Sequence, residues 1–155
     1  MSDFTIRPGL PSDEGSILAL ADRLAAFGPG TRSAAEISDR ERQALADAMA
    51  LPARNSALLV ADDPHRGIMG ILLLESRRDY FTDEIHGHVA ILVVAHEAEG
   101  QGLGRSLLKA AEDWALAQGY RRLTLTVFTD NLRAKEFYIR QGWRPELETY
   151  FKNLL

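Results

Sequence analysis

From Val94 to Lys109 the chain reads VAHEAEGQGLGRSLLK: an apolar strand end, a loop punctuated by Gly100, Gly102 and Gly104, and the start of an amphipathic helix. Glycine reaches backbone dihedrals that side chains resist, and it lets the main chain approach a ligand closely. The helix behind the loop offers unpaired N–H groups and a partial positive charge. Strand, glycine turn and helix start therefore predict a site for a phosphate or diphosphate. Two common designs of that kind do not fit. A nucleotide P-loop needs lysine and a hydroxyl residue after its last glycine, whereas Arg105 and Ser106 follow Gly104. A dinucleotide fingerprint needs a third glycine three residues on, where Leu107 stands, and an acid about twenty residues later, where Arg121-Arg122-Leu123-Thr124 runs.

A third design does fit. Glu99-Gly100-Gln101-Gly102-Leu103-Gly104, preceded by Ala90-Ile91-Leu92-Val93-Val94, resembles the acyl-CoA diphosphate loop of the GNAT N-acetyltransferase superfamily, whose pattern is Arg/Gln-x-x-Gly-x-Gly/Ala. Glu99 departs from it, because a carboxylate beside a diphosphate is unfavourable, by roughly 1 kcal/mol or less when it points to solvent. About thirty residues on, Asn131-Leu132-Arg133-Ala134-Lys135-Glu136-Phe137-Tyr138 continues through Gly142-Trp143 and resembles the same family's N-x-x-A-x-x-F-Y segment. Positions 131, 134 and 138 share one face of a helix. On the resemblance, small Ala134 leaves room for a pantetheine arm, Asn131 offers it an amide hydrogen bond, and Tyr138 places a phenol near the sulfur.

The resemblance covers nearly the whole chain and implies a single domain over residues 1–155. Its fold is mixed α/β, with a mostly antiparallel twisted sheet of six to seven strands and helices on both faces. Periodicity agrees in outline. Residues 4–7 read as a strand and Asp13 to Phe27 as a helix with Ser12 as N-cap. A second helix runs over 33–50, followed by strands at Ser56–Ala61 and Gly67–Leu74 around the turn Asp62-Asp63-Pro64. Glu75 to Glu84 reads as a loop and His86 to Val94 as a strand. Then come a helix from Gly102 to Gln118, a strand from Leu123 to Val127, a helix from Asn131 to Gln141, and extended chain from Trp143 to Lys152.

Composition bounds the function. A chain of 155 residues, 46% apolar, supports one hydrophobic core. A net charge of −4 argues against a general binder of nucleic acid or anionic membrane. No apolar run approaches a membrane span and Met1-Ser2-Asp3 leads directly into a strand, so a cytoplasmic protein is expected. With no cysteine, an acyl-cysteine intermediate, a disulfide and a thiolate metal site are all ruled out, and no metal is expected. Acyl transfer would pass directly from thioester to acceptor in a ternary complex.

The family implies acetyl-CoA as co-substrate and an amine of a small molecule or protein as acceptor. It implies cofactor contacts from the main chain at Leu92, Val93 and Val94, from Gly100, Gln101, Gly102, Leu103, Gly104 and Arg105, and from Asn131, Ala134 and Tyr138. Tyr138 is the expected acid for the leaving thiolate, and main-chain N–H groups around Val93 and Val94 the expected oxyanion donors. The base is harder to place, because Ala90 stands where many members carry glutamate. His86, His88 and Ala90 share one strand face, which puts His88 about 6.6 Å upstream. Neutral His88 is one candidate base; Glu84 and Asp83 are others. The acid-rich, aromatic segment Asp79-Tyr80-Phe81-Thr82-Asp83-Glu84 and the loop Phe27 to Arg32 are expected to border the acceptor site, and the former suits a cationic amine. Arg105, Lys109, Arg133 and Lys135 are candidates for the 3′-phosphate. The family frequently forms homodimers. The rival function is a non-catalytic acyl-CoA-binding sensor or partner module on the same fold.

Overall fold

The computed structural model describes residues 3–155. Five strands form one sheet in sequential order: β1 (Thr5–Pro8), β2 (Ala57–Asp63), β3 (Gly67–Arg78), β4 (Ile85–Val94) and β5 (Leu123–Leu125). The first four pair antiparallel and β5 joins β4 in parallel. The helices are α1 (Glu14–Ala21), α2 (Ala34–Ala50), α3 (Leu103–Ala117) and α4 (Leu132–Arg140).

The continuous apolar run of β3 reflects burial on both faces. Leu72 and Leu74 point into a cluster with Leu103, Leu107 and Ala111 of α3. Ile71 and Leu73 point the other way, to Ile17 and Ala21 of α1 and Leu45 of α2. Each such fully buried aliphatic side chain contributes roughly 2 kcal/mol relative to exposure. Gly70 completes the α3 contact, since a Cβ there would lie 2.9 Å from Leu107 Cδ1.

Several elements differ from expectation. The sheet has five strands rather than six or seven, because the chain after Trp143 forms none. That stretch contains Pro145, which has no N–H for a ladder, and its apolar Leu147, Tyr150 and Phe151 are exposed. Strand β5 stops at Leu125 rather than Val127 for a reason that lies in β4. Leu73 pairs with Ile91 and Leu74 with Val89, so Ala90 is a bulge with no partner on β3. The parallel pairing of β4 with β5 ends at Val89 and Leu125, immediately before that bulge. Above this point β4 continues paired with β3 only, and β5 parts from it.

The helix expected from Asp13 to Phe27 divides into α1 and a 3-10 segment over Asp22–Phe27. Ser12 is not its N-cap but lies inside the 3-10 turn Pro11–Asp13. Asp13 is engaged there by the Arg7 guanidinium at 2.8 Å and the Leu10 N–H at 2.8 Å. Helix α2 begins as read, on a capping box of Ser33 and Glu36. Asp62 and Asp63 belong to β2 rather than to the turn, which falls at residues 64–66. Strand β3 runs four residues past Leu74, so the loop read over Glu75–Glu84 shrinks to residues 79–84.

Candidate active site

The glycine loop is built as its spacing demands. Gly100 and Gly102 have φ of +75° and +79°, in the left-handed region that β-carbons disfavour. No atom would meet a Cβ at either position, so the space in front of the turn is open. Gly104 serves a close approach instead, because its Cβ would lie 3.3 Å from Phe137 Cζ of α4. Gly102 caps α3, and Ser106 donates to its carbonyl at 3.1 Å. The N–H groups of Leu103, Gly104 and Arg105 therefore begin the helix without intrahelical acceptors. The Leu103 side chain is core, so only its main chain can serve a ligand.

The loop is tied on two sides. Arg66, from the β2–β3 turn, donates to Glu97 O at 3.0 Å and Gln101 Oε1 at 3.2 Å, while buried Asp63 holds the same guanidinium. Gln101 Nε2 returns to Glu97 O at 3.2 Å. On the other side Glu99 accepts from Arg23 at 2.5 Å and Arg133 at 3.1 Å. Burial opposes the Glu99 charge, but hydrogen bonds and charge from Arg133, then from Arg23, hold its carboxyl below the ordinary range. The carboxylate expected to trouble a diphosphate is thus locked between two guanidiniums.

Beside the loop, the parted sheet offers main-chain donors. Ala95 N–H donates to Met69 O at 2.8 Å, across the β3 side. Alternation along an extended strand turns the Val93 N–H the same way, and those of Leu92 and Val94 toward the side β5 has left. Helix α4 completes this region. Asn131 Oδ1 caps it by accepting from Ala134 N–H at 3.2 Å, which leaves the amide's Nδ2 as its free donor. Tyr138 lies between Phe137 and Trp143, with ring centroids 5.5 and 6.2 Å away, and burial raises its phenol pKa. A left-handed turn, an uncapped helix start and open main-chain donors are a donor set that fits a CoA diphosphate and its pantetheine amides.

Among the cations considered for the 3′-phosphate, Lys109 is paired with Asp113 at 2.6 Å and Lys135 reaches Thr129 O at 3.5 Å. Arg105 is exposed at the helix start, and Arg133 is held by Glu99.

The N-terminal half of β4 carries a separate polar cluster. His86 and His88 are buried, 8% and 4% exposed, and lie on the face of the sheet away from α3. Thr124 Oγ1 of β5 sits 2.7 Å from His88 Nδ1 and 3.2 Å from His86 Nε2. Burial, and then the charge of Arg77, push the His88 pKa down to about 4. Glu75 and Arg77 of β3 pair in register with His88 and His86, and Glu75 accepts from Arg77 at 2.9 Å. The sequence reading placed Glu75 and Arg77 in or beside a loop and so missed them. Their two-residue spacing was the available signal, had the strand been carried past Leu74. Arg23 and Arg66 carried no local signal at all.

Glu84 lines a cavity with His86 at the end of β4 but stands away from His88. It is exposed at the β3–β4 tip, its N–H on Thr82 Oγ1 at 3.3 Å and its carbonyl on Asp79 N–H at 2.8 Å. Four residues of strand, about 13 Å, separate it from His88. The aromatic pair Tyr80 and Phe81 also stands exposed at this tip. No helix here is long and apolar enough to cross a membrane, and no group of metal ligands occurs among the described residues.

The parted sheet and its glycine turn define an acetyltransferase type of α/β domain. The acetyltransferase (GNAT) family model matches residues 20–143, and the chain belongs to that family. It is 47% identical over 55 residues to a mycothiol acetyltransferase of Jonesia denitrificans, covering 36% of this chain and 18% of that protein. A mycothiol acetyltransferase of Beutenbergia cavernae is 30% identical over 139 residues, covering 88% of this chain and 43% of its own. The chain thus spans less than half the length of these curated relatives. The aminoglycoside N-acetyltransferase AAC(6')-Iy, solved in complex with CoA, superposes with a TM-score of 0.77 at 15% identity, over 100% of this chain and 97% of that one. At that identity the likeness is one of fold.

Proposed function

We propose that this GNAT protein is an acetyl-CoA-dependent N-acetyltransferase that passes acetyl directly to a primary amine of a small molecule or protein. The observation that carries the reading is the open left-handed turn Gly100–Gly102 feeding three free N–H groups at the start of α3. Acetyl-CoA, as substrate, supplies an activated thioester. The amine nitrogen bonds to the carbonyl carbon, the C–S bond breaks, the amine loses a proton and the departing sulfur gains one.

The residues present suit those needs. The Val94 N–H, turned to the open side of β4, faces the region where charge develops on the carbonyl oxygen. Tyr138, its phenol kept protonated by burial, is the acid for the sulfur. His88 is the base. Its lowered pKa keeps it neutral at pH 7, and Thr124 fixes the ring through Nδ1. When Thr124 accepts from Nδ1–H, Nε2 carries the lone pair, and because six residues of strand, about 20 Å, separate His88 from Val94, the proton reaches it through a chain of waters. Glu75, opposite His88, is paired with Arg77, so the two leave no net charge beside the ring.

The rival, a non-catalytic acyl-CoA module, draws on Ala90 standing where a carboxylate base is usual. Calorimetry with acetyl-CoA followed by Tyr138→Phe kinetics over a panel of amines separates the two. The enzyme reading expects saturable binding, turnover with an amine, and a kcat about 100-fold lower in Tyr138→Phe with binding intact. Binding without turnover on any amine would favour the module. No binding by folded protein would overturn both.

A further inference from the structure

Glu99 directly precedes the left-handed Gly100, with 23% of its side chain exposed. Two segments far apart in sequence, and a histidine three residues upstream, meet on its carboxylate. Oε1 accepts from Arg23 at 2.5 Å, Oε2 accepts from Arg133 at 3.1 Å, and His96 Nδ1 lies 3.7 Å from Oε2. Arg23 comes from the 3-10 segment after α1, where its guanidinium sits 6.0 Å from the centre of the Phe27 ring. Its Nε is shut off from water without an acceptor. Arg133 comes from the first turn of α4 and is 73% exposed, with Nη1 on Glu99 and its other donors open to solvent or a ligand.

The charges decide what this cluster can do. One carboxylate between two guanidiniums leaves the trio at +1 on the shoulder of an anion-binding turn. A free arginine at a surface loses rotamer freedom when it closes on a ligand. An arginine already held by a carboxylate has met much of that cost before the ligand arrives. Of the other cations near the loop, Arg66 is held by Asp63 but spends its donors on Glu97 O and Gln101 Oε1, Lys109 is drawn away to Asp113, and Arg105 has no carboxylate on it among the described residues.

We propose that Glu99 is a positioning residue that holds Arg133 and Arg23 at the rim of the glycine turn, where their guanidiniums form the cationic half of the diphosphate site. Glu99 itself does not touch the ligand. The assignment deepens the acetyl-CoA reading and rests on it. It also inverts the expectation from charge alone: removing this negative residue weakens the binding of a polyanion.

The test is calorimetric titration of wild type, Glu99→Gln, Arg133→Gln and the double variant with acetyl-CoA and with 3′-dephospho-acetyl-CoA, which keeps the diphosphate. Glu99→Gln is expected to weaken both ligands about tenfold, raising KM for acetyl-CoA while kcat holds. The double variant is expected to bind more weakly than Arg133→Gln alone only by the share that Arg23 carries, so the two single losses are less than additive. Arg133→Gln alters an exposed side chain and keeps the test open if Glu99→Gln folds poorly; unchanged affinity in it would overturn the proposal. Equal or tighter binding by Glu99→Gln, or a loss confined to the 3′-phosphorylated ligand, would do the same. In either case wild-type binding leaves the acetyl-CoA reading intact, whereas a wild type that binds neither ligand removes that reading and this one together.

Discussion

The two halves of β4 are built on different principles. Beyond the Ala90 bulge the strand ends in a site made of main chain: two left-handed glycines, the free N–H groups at the start of α3, and the outward N–H groups of Leu92 and Val94. Before the bulge the site is made of side chains that cross strands, with His86 and His88 held by Thr124 and faced by Glu75 and Arg77. A main-chain site tolerates varied neighbours but not a change of backbone conformation. A side-chain site depends on which residues the sheet register happens to align. One half is therefore expected to respond to glycine substitution and the other to loss of a single hydroxyl.

The largest effect is expected at Gly102. Its surroundings are open, so a substituted side chain meets no atom; the penalty comes from φ alone. Gly102→Val forces a β-branched residue into the left-handed region and re-aims donors at the diphosphate. A combined loss of about 3 kcal/mol, more than 100-fold in Kd for acetyl-CoA, is expected by calorimetry. Retained affinity would mean the turn is not the anchor.

The histidine half is next, and its signature is pH. The folded pKa of His88, about 4, lies below the ordinary 6.5. Between those values the unfolded chain binds a proton that the folded one refuses, so stability rises with pH across the window. The His88 contribution is complete above about pH 6.5 and is lost as pH falls toward 4. Chemical denaturation of wild type against His88→Gln should reveal a difference of roughly 2 to 3 kcal/mol in the pH dependence over that range. Parallel curves would show that His88 titrates normally and is not buried as described.

The same contrast explains what was legible in the sequence. The glycine loop and the α4 motif could be read because local backbone rules act within a few residues: left-handed turns at Gly100 and Gly102, and the Asn131 cap. Even the capping box of α2 was near at hand in Ser33 and Glu36. Pairings between distant segments were not. Nothing within ten residues of Glu99 announces Arg23, 76 residues away, or Arg133, 34 residues on. The end of β5 was misplaced for a related reason, since the bulge at Ala90 that releases it is a property of register and leaves no mark in periodicity.

Thr124 is where register meets chemistry. Thr124→Val keeps the shape but removes the hydroxyl between two ring nitrogens, leaving His88 Nδ1 without its 2.7 Å partner. If ring orientation matters, kcat falls about tenfold while KM for acetyl-CoA stays constant, and Thr124→Ser restores most of the rate. An unchanged kcat would reduce Thr124 to a packing residue.

The smallest effect sharpens the choice of base. Glu84 has the chemistry of a base, but it stands exposed at the β3–β4 tip, about 13 Å along the strand from His88. An exposed carboxylate at that distance interacts with a charge in the site by well under 1 kcal/mol in water. Glu84→Gln is therefore expected to leave kcat within about twofold and its pH profile unshifted, while His88→Gln lowers kcat and removes the acidic limb. A loss in Glu84→Gln matching that of His88→Gln would move the base to the hairpin tip. The acceptor would then have to reach across the polar cluster rather than sit within it.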